Sequence, residues 1–575
     1  MKFFRKKKRK NDHEIAPDEI FLDSANPSKF DKAQFEGRLE RPISRKTFFG
    51  LFISVAVVCF VLLLRTGTLE IVHGTEYAAE SANNSLRSTT LFAPRGAITD
   101  RNGTLLAYNV ENSSGNVRRH YTIPAMGQII GYVSYPKKDA SGHYYDTAEN
   151  GLAGLEKEYN ALLSGTNGKL LTETDAFGRI RSQGVIVPSH NGKTLVLSVD
   201  ANLERALAKA IAAVVHRNNF LGGAGVIMDV HTGAVLAIVS YPSYDPNVMS
   251  NGGPANIITG YSTDSSHPFL DRAIQGLYAP GSTVKPFEAS GALTDGIITP
   301  NTIIDDKGFI TVKDPYHPGR SFIYRGWKVL GPVNVRKAIA WSSDIFFYTV
   351  GGGFGKQKGL GIDRLDYWYR TFGLGKQTGI DLPGEAAGRI PSPQWKEAAK
   401  HEQWYLGDTY FTAIGQYAMQ VTPIQMVRAT AAVANNGKLL VPTLLKNQTP
   451  SYTTINVSKA TFLVVREGMR QAVHAVASDL SLPYLSVALK TGTAQVGVHN
   501  QYDNSWVEGF FPYNNPQYAF AVVLGRGPPW GGEKAVRVMR EFFDILHTQN
   551  SPFVGGSATG GNATTSATVH KFTNI

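Results

Sequence analysis

The stretch Tyr278-Ala279-Pro280-Gly281-Ser282-Thr283-Val284-Lys285-Pro286-Phe287 decides how the rest of the chain is read. Pro280-Gly281 signals a turn and an apolar stretch follows, so a helix is predicted to begin between them. On a helix Ser282 and Lys285 share one face, and the amine can reach the hydroxyl and take its proton. Two further clusters follow in order, Ser342-Ser343-Asp344 and Lys490-Thr491-Gly492-Thr493. Together they have the layout of a serine acyltransferase. A serine and a lysine three apart are weak alone, since about two such pairs are expected by chance in a chain this long. Ser134-Tyr135-Pro136-Lys137 is a second pair, but Pro136 disfavours the helix that would join its ends.

Composition bounds the remainder. The 575 residues, 42% hydrophobic and 18% charged, can bury a large core and make two or three domains. The single cysteine, Cys59, allows no intramolecular disulfide and no cysteine metal site. A net charge of +12 would suggest nucleic acid if it covered a folded face. Much of it instead crowds the N-terminus, at Lys2, Arg5, Lys6, Lys7, Lys8, Arg9 and Lys10, then at Arg38, Arg41, Arg45 and Lys46. The uncharged run TFFGLFISVAVVCFVLLL, residues 47–64, comes next. As a helix it would span roughly 27 Å at ~1.5 Å per residue, enough for one membrane crossing. The positive flank predicts a cytoplasmic N-terminus and an outer side for everything after Arg65. Residues 1–46 are far longer than the n-region of a cleaved signal peptide. The expected order is a cytoplasmic basic tail at 1–46 and a transmembrane helix at 47–65, with folded parts beyond.

Residues 66–193 hold short strand-like runs with turn signals, Arg101-Asn102-Gly103 and Ser189-His190-Asn191-Gly192 among them, and no catalytic constellation. Residues 194–550 read as α/β. Residues 194–199 are strand-like, 203–215 are Ala-rich and helical, and 226–228 and 234–240 are apolar runs joined by Val230-His231-Thr232-Gly233. Residues 484–489, 506–511 and 518–524 supply three more strands, so five strands bracket a long helical insert. Residues 551–575 are Gly-, Ser-, Thr- and Ala-rich and predicted to be disordered.

The three motifs resemble those of the penicillin-interacting serine enzymes, and the chain beyond Arg65 resembles the class B penicillin-binding proteins. Arg95-Gly96, Asp100-Arg101-Asn102-Gly103 and Gly151-Leu152-Ala153-Gly154-Leu155-Glu156 ahead of Tyr159 match their pedestal region. Asp229 with Thr232-Gly233, Ser240 with Pro242-Ser243, Asp245-Pro246-Asn247 and Thr422-Pro423-Ile424-Gln425-Met426 match their transpeptidase domain. The resemblance implies an α/β transpeptidase domain with a five-stranded antiparallel sheet between helices, on a small β-rich pedestal of dimerisation type behind the membrane helix. It implies a D,D-transpeptidase that cross-links peptidoglycan stem peptides and is acylated by β-lactams, needing no cofactor, metal or nucleic acid. Its alternatives are a D,D-carboxypeptidase of the same fold and a catalytically silent scaffold that recruits a glycan polymerase.

The resemblance also assigns roles. Ser282 is the nucleophile on the carbonyl between two terminal D-alanines, and Lys285 accepts its proton. That needs an amine neutral part of the time, which burial and a neighbouring Lys490 favour. Ser342 relays a proton to the departing D-alanine, grouped with Asp344, where the pattern more often has Asn. Lys490, Thr491 and Thr493 hold the substrate carboxylate. Read as lying at the end of a strand, Lys490 and Gly492 face one way and Thr491 and Thr493 the other, with Gly492 leaving room for a ligand along the edge. The backbone N–H groups of Ser282 and Thr493 make the oxyanion hole, where one lost donor costs about 100- to 1000-fold in rate. No Glu-x-x-Leu-Asn occurs between Ile345 and Leu489 to activate a deacylating water. Residues 66–190 are too few for a glycosyltransferase domain, and the step from Tyr108-Asn109 to Ile130-Gly131-Tyr132-Val133 implies a reduced head subdomain. Asp344, and the run Trp404-Tyr405-Leu406-Gly407-Asp408-Thr409 ahead of Ile414-Gly415-Gln416, resemble the elongation type more than the division type, although Tyr417 replaces a common Gly. Either type works beside a multi-span glycan polymerase of the SEDS family.

Overall fold

A computed structural model describes residues 44–111, 117–141, 143–174, 180–314, 317, 319–529 and 532–555. The chain divides into two units, residues 1–87 with 172–182, and residues 88–171 with 183–575. In the first, Ser44 caps helix α1, Arg45–Gly67, its hydroxyl accepting from the Thr47 N–H at 3.2 Å. This is the one helix among the described residues long and apolar enough to cross a membrane, and its helical path continues to Val72. Its leucines, valines and phenylalanines face outward, which only an apolar surrounding makes favourable. The basic cluster at residues 2–10, with Arg38 and Arg41, lies outside the described residues.

In the second unit, strands β1 (Ile98–Thr99), β2 (Leu105–Glu111), β3 (Val117–Tyr121) and β4 (Leu195–Val196) form a sheet of order β4-β1-β2-β3. β4 corrects an expectation. The strand read at residues 194–199 as opening the catalytic part pairs instead in parallel with β1, Leu195 and Leu197 donating to the carbonyls of Ala97 and Thr99 at 2.8 Å. Alternation identifies a strand but carries no information about its partner. The fully buried Glu156 carboxylate accepts from Arg95 Nε at 2.6 Å and Arg119 Nε at 2.8 Å. Gly154, at φ +54°, lies so close to the Ile129 carbonyl that a Cβ would approach it to 2.4 Å. The pedestal matches to Arg95, Gly154 and Glu156 are therefore internal framework.

Helix α2 (Ala201–Arg217) is capped by Asp200, and strands β5 (Gly222–Asp229) and β6 (Val235–Tyr241) follow. The helical insert holds α3 (Lys285–Thr294), α4 (Val335–Trp341), α5 (Asp344–Gly352), α6 (Pro423–Ala434) and α7 (Lys459–Val476). Strands β7 (Ala488–Val496), β8 (Tyr502–Phe511) and β9 (Tyr518–Gly527) and helix α8 (Ala535–Thr548) complete the unit. The five strands form one antiparallel sheet of order β6-β5-β9-β8-β7. Period-two alternation sorts the core into two layers. On β9, Phe520, Val522 and Leu524 join the layer of α2 and α8, while Ala519, Ala521 and Val523 join that of α3 to α7.

Several boundaries differ from expectation, and at two of them packing shows why. The strand read at 484–489 begins only at Ala488, because Tyr484 is used by α8: its ring stacks on His547 at 3.9 Å and its hydroxyl donates to Asp544 at 3.0 Å. Residues 551–555, read as the start of a disordered tail, are packed, with Val554 buried and the Phe553 ring 5.2 Å from Tyr518. Residues 556–575 lie outside the described residues.

Candidate active site

Ser282 lies in a 3-10 turn, Gly281–Val284, and Lys285 is the first residue of α3. The turn is wedged against edge strand β7. Gly281 has φ +57°, its N–H donates to the Gly415 carbonyl at 2.9 Å, and a Cβ on it would come within 2.8 Å of the Thr493 carbonyl. Gly492 faces the same turn, where a Cβ would lie 2.7 Å from the Pro280 carbonyl and 2.9 Å from Thr283 Cγ2. This corrects the expectation that Gly492 opens space for a ligand. The protein's own backbone fills that space. The expected alternation does occur, with Lys490 and Gly492 buried, Thr491 half-buried and Thr493 exposed, but these residues sit near the start of β7, not at a strand end.

Ser342, Ser343 and Asp344 divide the work of one sharp junction. Ser343 caps α5, accepting from the Phe346 N–H at 3.1 Å and donating to Asp306 at 2.5 Å. Ser342 ends α4 in the left-handed region, φ 57° and ψ 40°, a conformation rare for a side-chain-bearing residue and concentrated at functional sites. The kink turns Ser342 toward both lysines. Lys285 Nζ donates to the Ser342 carbonyl at 2.9 Å, to Ser342 Oγ at 3.3 Å and to Asp344 Oδ1 at 2.6 Å. Lys490 Nζ donates to Ser342 Oγ at 3.0 Å and to the Thr491 carbonyl at 2.7 Å. One hydroxyl thus bridges two buried amines.

The expected hydrogen bond between Ser282 and Lys285 is not formed, and Ser282 Oγ bonds to no described residue. The three N–H groups of Lys285 are directed instead to the Ser342 carbonyl, Ser342 Oγ and Asp344. Burial holds the Lys490 amine well below its ordinary range, helped by the charge of Lys285 and opposed by Asp344 and Glu508. No cluster of three or more metal-ligating side chains occurs among the described residues.

Three neighbours escaped the sequence reading. Trp327 Nε1 donates to the carbonyls of Trp341 at 3.1 Å and Ser342 at 3.3 Å, bracing the kink from the solvent side. Glu288, one turn beyond Lys285 on α3, and Glu508, on β8, are both fully buried acids. Burial raises each carboxyl well above the usual range. A charged residue inside the apolar run Trp506-Val507-Glu508-Gly509-Phe510 was the one signal available for Glu508.

Residues 223–544 match the penicillin-binding protein transpeptidase domain, and residues 110–197 match the penicillin-binding protein dimerisation domain. The peptidoglycan D,D-transpeptidase MrdA of Acinetobacter baumannii is 30% identical, over 89% of this chain and 89% of its own. A Helicobacter pylori penicillin-binding protein PBP2, solved in complex with MreC, is 26% identical, with a TM-score of 0.67 over 81% of this chain and 99% of its own. A chain from a structure described as a peptidoglycan synthase complex coordinating polymerization and crosslinking is 26% identical, with a TM-score of 0.69 over 90% of this chain and 100% of its own. The chain belongs to the penicillin-binding proteins. Within them it is a class B member of the elongation type.

Proposed function

We propose that this chain is a peptidoglycan D,D-transpeptidase working through an acyl-enzyme on Ser282. The observation that carries the roles is the Ser342 hydroxyl held between Lys285 and Lys490, beside the turn that bears Ser282. A donor stem peptide docks its terminal carboxylate at Lys490, Thr491 and Thr493. The arriving negative charge favours the protonated form of Lys490. A proton then passes from Lys285 through Ser342 Oγ to Lys490, leaving Lys285 as a free base. Ser282 Oγ attacks the penultimate D-alanine carbonyl while Lys285 takes its proton, and the N–H groups of Ser282 and Thr493 stabilise the oxyanion. Collapse breaks the peptide bond, Lys285 returns the proton through Ser342, and D-alanine leaves. An acceptor amine attacks the ester by the reverse path. A β-lactam enters at the first step and stays on Ser282.

The test is incubation of the full-length protein with a peptide ending in D-Ala-D-Ala and an amine acceptor. Release of D-alanine with an acceptor-linked peptide is expected. Release with hydrolysed peptide alone would make the chain a carboxypeptidase, and no release would overturn the reading.

The reading extends to place and partner. α1 spans the membrane once with its basic end in the cytoplasm, so the second unit works outside on nascent glycan. A SEDS-family polymerase of the elongation type is the expected companion, supported by the likeness to a chain of a peptidoglycan synthase complex. Arg95 and Glu156 are too buried to meet it, so any pedestal contact falls on other side chains. Co-purification from membranes with an elongation-type polymerase is expected, and exclusive pairing with a division-type polymerase would sink the assignment.

A further inference from the structure

Lys490 on β7 and Glu508 on β8 are directly opposite in register, so their side chains leave the sheet on the same face. Both are fully buried. Their heads do not pair: Lys490 is turned to Ser342 Oγ and the Thr491 carbonyl, while Glu508 Oε2 lies 2.8 Å from Thr430 Oγ1, a hydroxyl that also has the Met426 carbonyl as acceptor at 2.8 Å. Glu508 Oε1, also buried, has no hydrogen-bond partner. Around the pair, α3 contributes Lys285, α5 contributes Asp344 and α6 contributes Thr430, while β9 places the uncharged Ala521 opposite Glu508. Glu288, the other buried acid nearby, has Lys285 as its charged neighbour. A carboxyl group brought into an apolar strand under an amine, with one oxygen idle, is expensive unless its charge is used.

We propose that Glu508 is a positioning residue that stabilises positive charge on Lys490 from beneath, and so sets the pH range over which Ser282 is acylated. The proposal rests on the transpeptidase reading. When a substrate carboxylate favours protonated Lys490, an ionised Glu508 adds to that preference, and the Thr430 hydroxyl stabilises the carboxylate that results. Burial displaces the amine downward and the acid upward, and the charge of each partner opposes the displacement of the other.

The test measures the second-order rate of Ser282 acylation by a fluorescent penicillin against pH, in full-length wild type and Glu508→Gln. The amide keeps the shape and the Thr430 bond but cannot ionise. Its profile is expected to lose its alkaline limb about one pH unit earlier, a rate about tenfold below wild type on that limb, with little change on the acid side. Superimposable profiles, or a limb displaced to higher pH, would overturn the proposal. If Glu508→Gln does not fold, Thr430→Val, which removes the hydroxyl bound to the carboxylate, replaces it with a smaller displacement expected in the same direction. Wild type that takes no label at any pH would instead remove the transpeptidase reading itself.

Discussion

Ser282→Ala is expected to take no fluorescent penicillin, a loss of about 10,000-fold or more in acylation, with an unchanged melting transition. The wild-type adduct should map by mass spectrometry to the peptide containing Ser282. The chemical loss follows because no other described serine stands on a helical turn beside a buried lysine, a bridging serine and a strand edge. Stability is spared because Ser282 is half-buried and its hydroxyl bonds to no described residue, so its removal leaves no partner unsatisfied. The competing serine of the sequence, Ser134, is in a short strand, Val133–Ser134, and Lys137 begins another, so the pair shares no helical face. Label that persists in Ser282→Ala, or that maps to Ser134, would end the assignment.

Lys285→Ala is expected to lower the acylation rate by at least about 1000-fold, further than Lys490→Ala does. Lys285 meets the Ser342 carbonyl, Ser342 Oγ and Asp344 at once, so its loss removes the base and one end of the proton path. Lys490→Ala keeps the base side chain but removes both the cation for the substrate carboxylate and the acceptor of the Lys285 proton, so its defect should appear as a raised apparent binding constant together with a smaller loss of rate. Truncating Lys285 also leaves Asp344 without its cation, at about 1–3 kcal/mol, so rates are compared below the melting transition of each variant. Stopped-flow acylation decides the point. A Lys285→Ala rate equal to wild type, or above that of Lys490→Ala, would overturn the base assignment.

Several parts of the fold were legible because their signals are local. The apolar run at residues 47–64 identified α1, and the short apolar run at residues 518–524 identified β9, which is buried on both faces. Thr422 and Gln425, around Pro423, form the capping box of α6 as their spacing implies. The glycines of Gly222-Gly223-Ala224-Gly225 hid the first half of β5, because glycine carries no strand preference and is tolerated there only where α2 packs closely on the sheet. Tyr417 illustrates a different limit. It occupies the left-handed region at φ 65° with its ring beside Trp395 and Trp404, a backbone state the residue name alone argues against.

By itself the sequence determined which residue types would meet. Ser282 and Lys285 are three apart, and spacing of that kind places neighbours on one helical turn whatever surrounds them. Tertiary structure decided how they meet. Lys285 and Asp344 are 59 residues apart and Ser342 and Lys490 are 148 apart, so no local preference could predict that one hydroxyl bridges both amines or that Lys285 bonds to the aspartate and not to Ser282. The same packing closed Gly492 against the Pro280 carbonyl and buried Glu508 under Lys490. Burial sets the charge of these groups, and burial belongs to the assembled core and to no stretch of chain.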